Sequence, residues 1–263
     1  PIKVQHHHSH LATLLGEKGL DKIVTIDADG LGYGPDNTIW GGEILTGTEE
    51  EYERAGSLSP MLMPGGNLAS KFPSRMIGGI LYKDSKISQI LEKHGHFPKG
   101  NKERKVVEEQ IEKEFNTTET SSAGRFLDAV SSLLDICHER RYEGEPAMKL
   151  EAFASNGDAK DLELDFKELN DRVTLDVQSL FRKIIKMKES GKKRRDIAAT
   201  AQKMLAKGMT KIAIDTAQKK NIDTIGFTGG VAYNHSIGVK IREMIEKTDL
   251  NYVTNERVPC GDG

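Results

Sequence analysis

At 263 residues the chain is long enough for one large domain or two packed lobes with a real core. Its 38 basic and 40 acidic residues nearly cancel, and a net charge of −2 gives no support for a surface built around a nucleic-acid backbone. A hydrophobic fraction of 37% permits an ordinary core beside a high charged fraction of 30%.

The two cysteines, Cys137 and Cys260, stand far apart and form no CxxC pattern. That usage argues for a reducing compartment, without a disulfide framework or a zinc finger. No apolar run approaches the roughly 20 residues of a bilayer helix, and no signal-peptide pattern opens the chain, so a cytoplasmic setting away from membranes is expected. The sequence begins at Pro1 and stops at Gly263 inside a glycine-rich turn, ends that read as those of a fragment of a longer polypeptide.

Val4-Gln5-His6-His7-His8-Ser9-His10 leads into Leu11, Ala12, Leu14 and Leu15, a short amphipathic helix that Gly16 or Gly19 would stop. Ile23 to Ile26 is a β-branched run of strand type. It continues into Asp27-Ala28-Asp29-Gly30-Leu31-Gly32-Tyr33-Gly34, and after a turn at Pro35-Asp36-Asn37 a second strand follows from Thr38 to Leu45. The pair reads as a hairpin carrying a phosphate-sized loop. The middle reads as mostly helical, over Met76–Leu91 and Val106–Phe115 with an exposed loop at Lys99–Lys105 between them. Phe126, Val130, Leu133 and Leu134 mark another helix, and residues 158–193 are charge-rich with a helical pattern. Ile197, Ala201, Leu205, Gly208 and Ile212 step by three or four along a long helix ending near Lys219-Lys220. Ile222–Phe227 is a strand before Thr228-Gly229-Gly230. A helix carrying Ile237, Ile241, Met244 and Ile245 and a short strand at Tyr252-Val253 follow. Strands alternating with long helices, with glycine pairs at strand ends, indicate an α/β fold with ligand sites at those ends.

Several clusters carry possible chemistry. His6 and His10 are four apart and His7 and His10 three apart, so either pair would face one side of a helix and offer two imidazoles to one ion; a solvated helix start is the plain alternative. Asp27 and Asp29 end a strand before glycines, a place for metal ligands and for backbone amides that receive phosphate, or simply for a turn. Gly229 and Gly230 at a strand-to-helix junction allow close approach of an anion to backbone amides. Pro64-Gly65-Gly66 with Lys71 and Arg75 is a third such turn, more simply a loop beside a solvated helix. Asp128 and Glu145 offer carboxylates for ribose hydroxyls or are surface charges. Cys137, within an apolar run, reads as buried, and Cys260 as the more reactive thiol.

In order and wording these segments resemble the HypF carbamoyltransferase family. The resemblance rests on Val4–His10, Asp29–Gly34 with Thr38–Glu43, Pro64-Gly65-Gly66, and Ser121–Arg125 with Asp128. It continues through Tyr142–Glu145, Gly229-Gly230-Val231 with Asn234, and Gly261-Asp262-Gly263, and only about Ser155–Lys193 carries no matching motif. The resemblance implies an actin-like, two-lobed ATPase fold of the ASKHA type, with RNase H-like sheets and helices on both faces, shared with the TsaD family. Residues 1–263 would be the carbamoyl-transfer domain, incomplete at its N-terminus and open at its C-terminus, with 155–193 a helical insertion. It implies a divalent metal, zinc or iron, on His6, His10 and Asp262 with Asp29 as fourth ligand; His7 and His8 have no counterpart among the ligands. It further implies ATP, AMP or carbamoyl adenylate, with magnesium a further candidate. The nucleotide would lie on Gly30, Gly32, Gly229, Gly230 and Asn234, with Asp128 facing the ribose and Glu145 or Glu151 assisting.

The implied chemistry is transfer of a carbamoyl group to the C-terminal cysteine of a partner, HypE, for the cyanide ligands of [NiFe]-hydrogenase. Carbamoyl phosphate would be the ultimate donor, with adenylate-forming, zinc-binding and acylphosphatase modules supplied by the rest of the enzyme. A TsaD-type tRNA threonylcarbamoyltransferase and an O-carbamoyltransferase are the nearest rivals, and a non-catalytic nucleotide-binding scaffold is the rival of another class.

Overall fold

The computed structural model describes residues 4–261. The chain opens on helix α1 (His6–Lys18), followed by three strands, β1 (Ile23–Tyr33), β2 (Ile39–Gly47) and β3 (Tyr52–Leu58), each antiparallel to its predecessor. Strand β4 (Met61–Pro64) leads into helices α2 (Asn67–Lys71), α3 (Ser74–Ile80), α4 (Ile87–His94) and α5 (Asn101–Glu112). Strand β5 (Thr117–Thr120) pairs with β4 and precedes α6 (Ala123–Leu133) and α7 (Glu145–Ala154). A hairpin of β6 (Phe166–Leu169) and β7 (Arg172–Leu175) leads into α8 (Val177–Glu189) and the long α9 (Arg194–Lys220). Strand β8 (Thr224–Thr228), a 3-10 turn at Gly230–Tyr233, α10 (His235–Ile245) and β9 (Asn251–Thr254) follow.

One sheet runs β6-β7-β3-β2-β1-β8-β9, with β8 parallel to β1 and β9 parallel to β8. Its centre is buried on both faces, as alternation along the strands shows. Ile23, Trp40 and Leu45 join Leu11, Leu14 and Leu15 of α1 in one cluster, whereas Val24, Ile26, Ala28 and Ile44 join the larger core under α6 and α9. Helix α1 thus covers one face of β1, β2 and β8, and α6 and α9 cover the other. The stripe expected on α9 is the buried one, and Asn221 closes that helix in the left-handed conformation.

The structure corrects the middle of the chain. Met76–Leu91 is two helices, α3 and α4. Lys99–Lys105 is not a loop, because α5 begins at Asn101 and turns Val107 and Ile111 inward. Residues 158–193 are helical only in α8. Before it, the β6–β7 hairpin adds to the open edge of β3, where Gly56, Ser57 and Leu58 pair with Val173, Thr174 and Leu175. Asn170 and Asp171, at φ 48° and 61°, form its two-residue turn, a hairpin signal masked by the surrounding charge.

Phe126 of α6 meets Phe181 of α8 edge-on at 6.1 Å, both fully buried, which locks the helical layer together. Phe126→Ala is expected to cost about 3–5 kcal/mol, read as a lowered midpoint in urea unfolding.

Candidate metal and ligand site

Helix α1 carries His6, His7, His8 and His10. The Gln5 side chain caps its start by accepting the His8 N–H at 2.7 Å, Gly19 closes it in the left-handed conformation, and its leucines bury against the sheet. The other residues of that buried side are histidines. His6 Nε2 lies 3.0 Å from Asp29 Oδ2, and His10 Nδ1 lies 3.1 Å from Asp27 Oδ1. Asp27 and Asp29 alternate with Ala28, so both side chains leave β1 on the face that α1 covers. His7 packs between the His6 and Trp40 rings, at 5.0 and 5.9 Å between centroids. One ligand atom each from His6, His7 and Asp29 falls within 4.8 Å of the others, a set whose chemistry and spacing fit a divalent ion.

Beyond Ala28, β1 loses register with β2, and the pairing resumes only at Gly32. The resulting bulge carries Asp29 and Gly30, and β1 runs on to Tyr33, so the expected glycine loop is an irregularity inside a strand. Gly32 is required there by contact: a Cβ would stand 2.2 Å from His7 Cε1 and 2.6 Å from His6 Cδ2. Behind the bulge, the Ser122 hydroxyl meets Gly30 O at 2.6 Å and Asp29 O at 2.9 Å, and also caps α6 by accepting the Arg125 N–H. Gly124 lets that helix end press against Gly30.

Asp29 is the hub. Burial pushes its carboxyl up, but bonds from His6 and the Gly30 N–H, with His10 and His7 beside it, bring it down to about 2. Its Oδ1 accepts the N–H groups of Gly30 at 2.7 Å and Gly230 at 3.1 Å. The two glycine turns read as phosphate cradles therefore converge on this carboxylate. The Gly229 N–H is bonded to Cys260 O at 2.8 Å, and at φ 88° a Cβ there would stand 2.4 Å from Ala28 O.

Of the remaining expected residues, Asp128, Glu145 and Asn234 are buried and Glu151 is half-buried. Asp128, expected to face a ribose, is fully buried and paired with Arg125 at 2.8 Å; burial raises its carboxyl pKa, with Arg125 and Arg140 opposing. Glu145 is covered by Arg141 and Lys149, at 2.6 and 2.8 Å, whose bonds hold its carboxyl at about 2. Asn234 caps α10 by accepting the Ile237 N–H at 2.9 Å and donates to Gln202 Oε1 at 2.8 Å. Glu151 Oε1 accepts the His235 N–H. Asp262 lies outside the described residues. Sequence reasoning pairs His7 with His10 by spacing but leaves it out of the ligand set that the resemblance implies, and it misses the roles of Ser122, Gly124 and Glu17.

Glu17 ties the end of α1 to the loop after β9. Its carboxylate accepts the N–H groups of Glu256, Arg257 and Val258 at 2.7, 3.2 and 3.3 Å, and Lys18 pairs with Glu256 at 2.8 Å. Desolvation would raise its pKa, yet these bonds lower it from 4.5 to about 2. Because the folded value lies below the unfolded one, the contribution is present above pH 4.5 and is lost as the pH falls toward 2. Urea melts across that range are expected to show wild type more stable than Glu17→Gln at neutral pH, with the gap closing in acid.

An antiparallel three-strand meander continued by two parallel strands, covered by helices on both faces and carrying a His/Asp cluster at its centre, defines the class. Residues 25–263 match the family model described as the Kae1-like domain, second subdomain, of carbamoyltransferases. The chain belongs to the HypF carbamoyltransferase family. It is 38% identical over 265 residues to the probable carbamoyltransferase HypF of Methanocaldococcus jannaschii, across 100% of this chain and 34% of that protein. HypF of Rhodobacter capsulatus is 33% identical, with the same coverage of 100% and 34%. A crystal structure of full-length HypF in its phosphate- and nucleotide-bound form superposes with a TM-score of 0.92 at 29% identity, over 100% of this chain and 34% of that one. T. kodakarensis HypF superposes at 0.88 with 37% identity, over 99% and 35%. The expected α/β fold of the ASKHA type is thus the observed one, and the chain spans about a third of the length of these relatives.

Proposed function

We propose that this chain is the carbamoyl-transfer domain of a HypF-type enzyme, handing a carbamoyl group from an adenylate to the C-terminal cysteine of a HypE-type partner. The observation that carries the reading is the His6–Asp29 and His10–Asp27 pairing, found within a chain whose full length matches HypF proteins. In the transfer, a thiolate sulfur bonds to the carbamoyl carbon as the bond from that carbon to the AMP phosphate oxygen breaks. The nucleophile comes from the partner, in keeping with Cys137 being buried and Cys260 having its thiol pKa raised by burial.

A divalent metal, zinc or iron, would be held by His6 and Asp29 with a second imidazole and with Asp262. Proximity favours His7 as that imidazole. The carboxylate on His10 Nδ1 favours His10, since a histidine that donates one N–H to a carboxylate presents its other nitrogen for ligation. Such an ion would supply Lewis acidity toward a carbamoyl or phosphate oxygen. Asp29 keeps its negative charge under His6 and the Gly30 and Gly230 amides, and Asp27 orients His10. The Gly30–Gly32 bulge and the Gly229-Gly230 turn would lie next to the phosphate of a bound nucleotide, with magnesium as its counter-ion. A HypF relative carries phosphate and nucleotide in its crystal structure, which supports nucleotide binding here. The adenylate-forming, zinc-binding and acylphosphatase modules would complete the enzyme.

Elemental analysis of tag-free protein tests the site. His6→Ala and Asp29→Asn are expected to cut metal affinity by about 10- to 100-fold or more. His7→Ala and His10→Ala measured side by side identify the second imidazole. Transfer is tested by mass spectrometry of a cysteine-tailed acceptor, with the other modules supplied. Metal content indifferent to all four substitutions would sink the ligand assignment, and a loaded protein that leaves the thiol unmodified would sink the transfer reading.

A further inference from the structure

Arg54 of β3 lies outside the candidate ligand set, yet its contacts lead to both sides of it. All three guanidinium nitrogens are engaged. Nε donates to Glu43 Oε2 at 2.5 Å, Nη1 to Asp36 Oδ2 at 3.0 Å, and Nη2 to the Ser121 hydroxyl oxygen at 3.2 Å. The guanidinium carbon stands over the Trp40 ring, 4.2 Å from its centroid. One planar group thus holds the turn before β2, two residues of β2, and the residue before the cap of α6.

Each arm ends at the cluster. Trp40, the chain's only tryptophan, is 2% exposed, and Asp36 Oδ1 accepts its Nε1–H at 3.0 Å, so the ring is held at its edge by Asp36 and on a face by Arg54. His7 packs beside that ring at 5.9 Å and meets the rings of His6 and His10 at 5.0 and 5.9 Å. On the other arm, the Ser121 hydroxyl is shared between Arg54 and the fully buried Glu43. Its neighbour Ser122 holds the carbonyls of Asp29 and Gly30. Compensating the charge of Glu43 needs only a cation, which a lysine would supply. The ring contact and the bond to Ser121 are what a planar, many-donor fork adds.

We propose that Arg54 is a positioning residue of the His/Asp cluster: by holding Trp40 and Ser121 with one guanidinium, it sets the imidazoles of α1 against the Asp29 bulge. The proposal rests on the metal-site reading for its effect on ligation and adds a residue two contacts removed from the ligands. Through Trp40 it supports His7, and through His7 the rings of His6 and His10. Through Ser121 and Ser122 it supports the backbone from which the Asp29 carboxylate projects. Loss of the fork with retention of the charge therefore loosens both sides together.

The test reads the metal-free 263-residue chain by NMR at fixed pH and then titrates the same samples with Co(II), followed by its visible absorption. Arg54→Lys keeps a cation beside Glu43 and is expected to shift the Trp40 indole N–H and the His7 ring resonances and to weaken Co(II) binding by about tenfold. Asp36→Ala, at a side chain 42% exposed, removes one pin from Arg54 and one from Trp40. It is expected to move the His7 ring and the Co(II) affinity the same way, and it carries the test if Arg54→Lys does not fold. Phe181→Ala, in the core on the opposite face of the sheet, is expected to lower the melting midpoint and leave His7 and the Co(II) affinity as in wild type. Unmoved His7 resonances in Arg54→Lys would overturn the proposal, as would an equal loss of Co(II) affinity in Phe181→Ala. Wild-type Co(II) uptake that neither Arg54→Lys nor Asp36→Ala weakens overturns the positioning role and leaves the metal reading intact. A wild type that takes up no Co(II) overturns the metal reading. The His7 resonances then decide the positioning of the imidazoles by themselves, supporting it if Arg54→Lys shifts them and overturning it if they stay in place.

Discussion

The site depends on a match of two periodicities. Four residues of α-helix rise about 6 Å, and two residues of β-strand rise about 6.6 Å. His6 and His10 on α1 therefore stand opposite Asp29 and Asp27 on β1 with almost no mismatch, the helix running against the strand. Both bonds form at once only if α1 lies on this face in this register, and its leucines fix that register from the far end of the same stripe. A shift of one residue along β1 would turn both aspartates to the opposite face, into the apolar core beneath α6.

A buried carboxylate has to be compensated, and the bulge in β1 supplies the means. By breaking the pairing with β2 it frees the Gly30 N–H to bond Asp29, and Gly230 arrives from the end of β8 to donate a second. The bulge is then held from behind by the Ser122 hydroxyl on the carbonyls of Asp29 and Gly30. Three segments far apart in sequence, around residues 29, 122 and 230, thus meet at Asp29, two on its carboxylate and one on its backbone carbonyl. Their glycines are needed for close approach to each other as much as for any ligand. Among the described residues Asp27 has no equivalent set of backbone donors, and its partner is His10 Nδ1 at 3.1 Å.

What the sequence reveals follows the range of the interactions. The His-x₃-His and Asp-x-Asp spacings, the stripe of α9 and the β1–β2 hairpin are local patterns and are legible directly. The β6–β7 hairpin is hidden because its strands are only four residues each and Lys167, Glu168 and Arg172 continue the charge pattern of an exposed helix; only pairing with β3 makes them strands. The three-residue spacing of His7 and His10 marks His7 as a candidate, but the ligand set implied by the resemblance leaves it out, and its proximity to His6 and Asp29 is a fact of folding. The burial of Asp128 against Arg125, three residues earlier, is equally tertiary: the spacing suits an ion pair on any surface helix, and here α6 is enclosed on all sides.

Glu17 shows how the two ends of the described chain become one site. A carboxylate that gathers three consecutive backbone N–H groups fixes the position of the loop backbone while leaving the loop's side chains free to vary. Since Glu17 lies on the helix that carries His6 and His10, any displacement of α1 moves the imidazoles and the arch of residues 255–261 together. The segment leading to Asp262 is thereby referenced to the histidines directly, without passing through β8 and β9. Two contacts at opposite ends of one short helix, to Asp27 and Asp29 at its start and to the loop at its end, make α1 the common frame for both halves of the site.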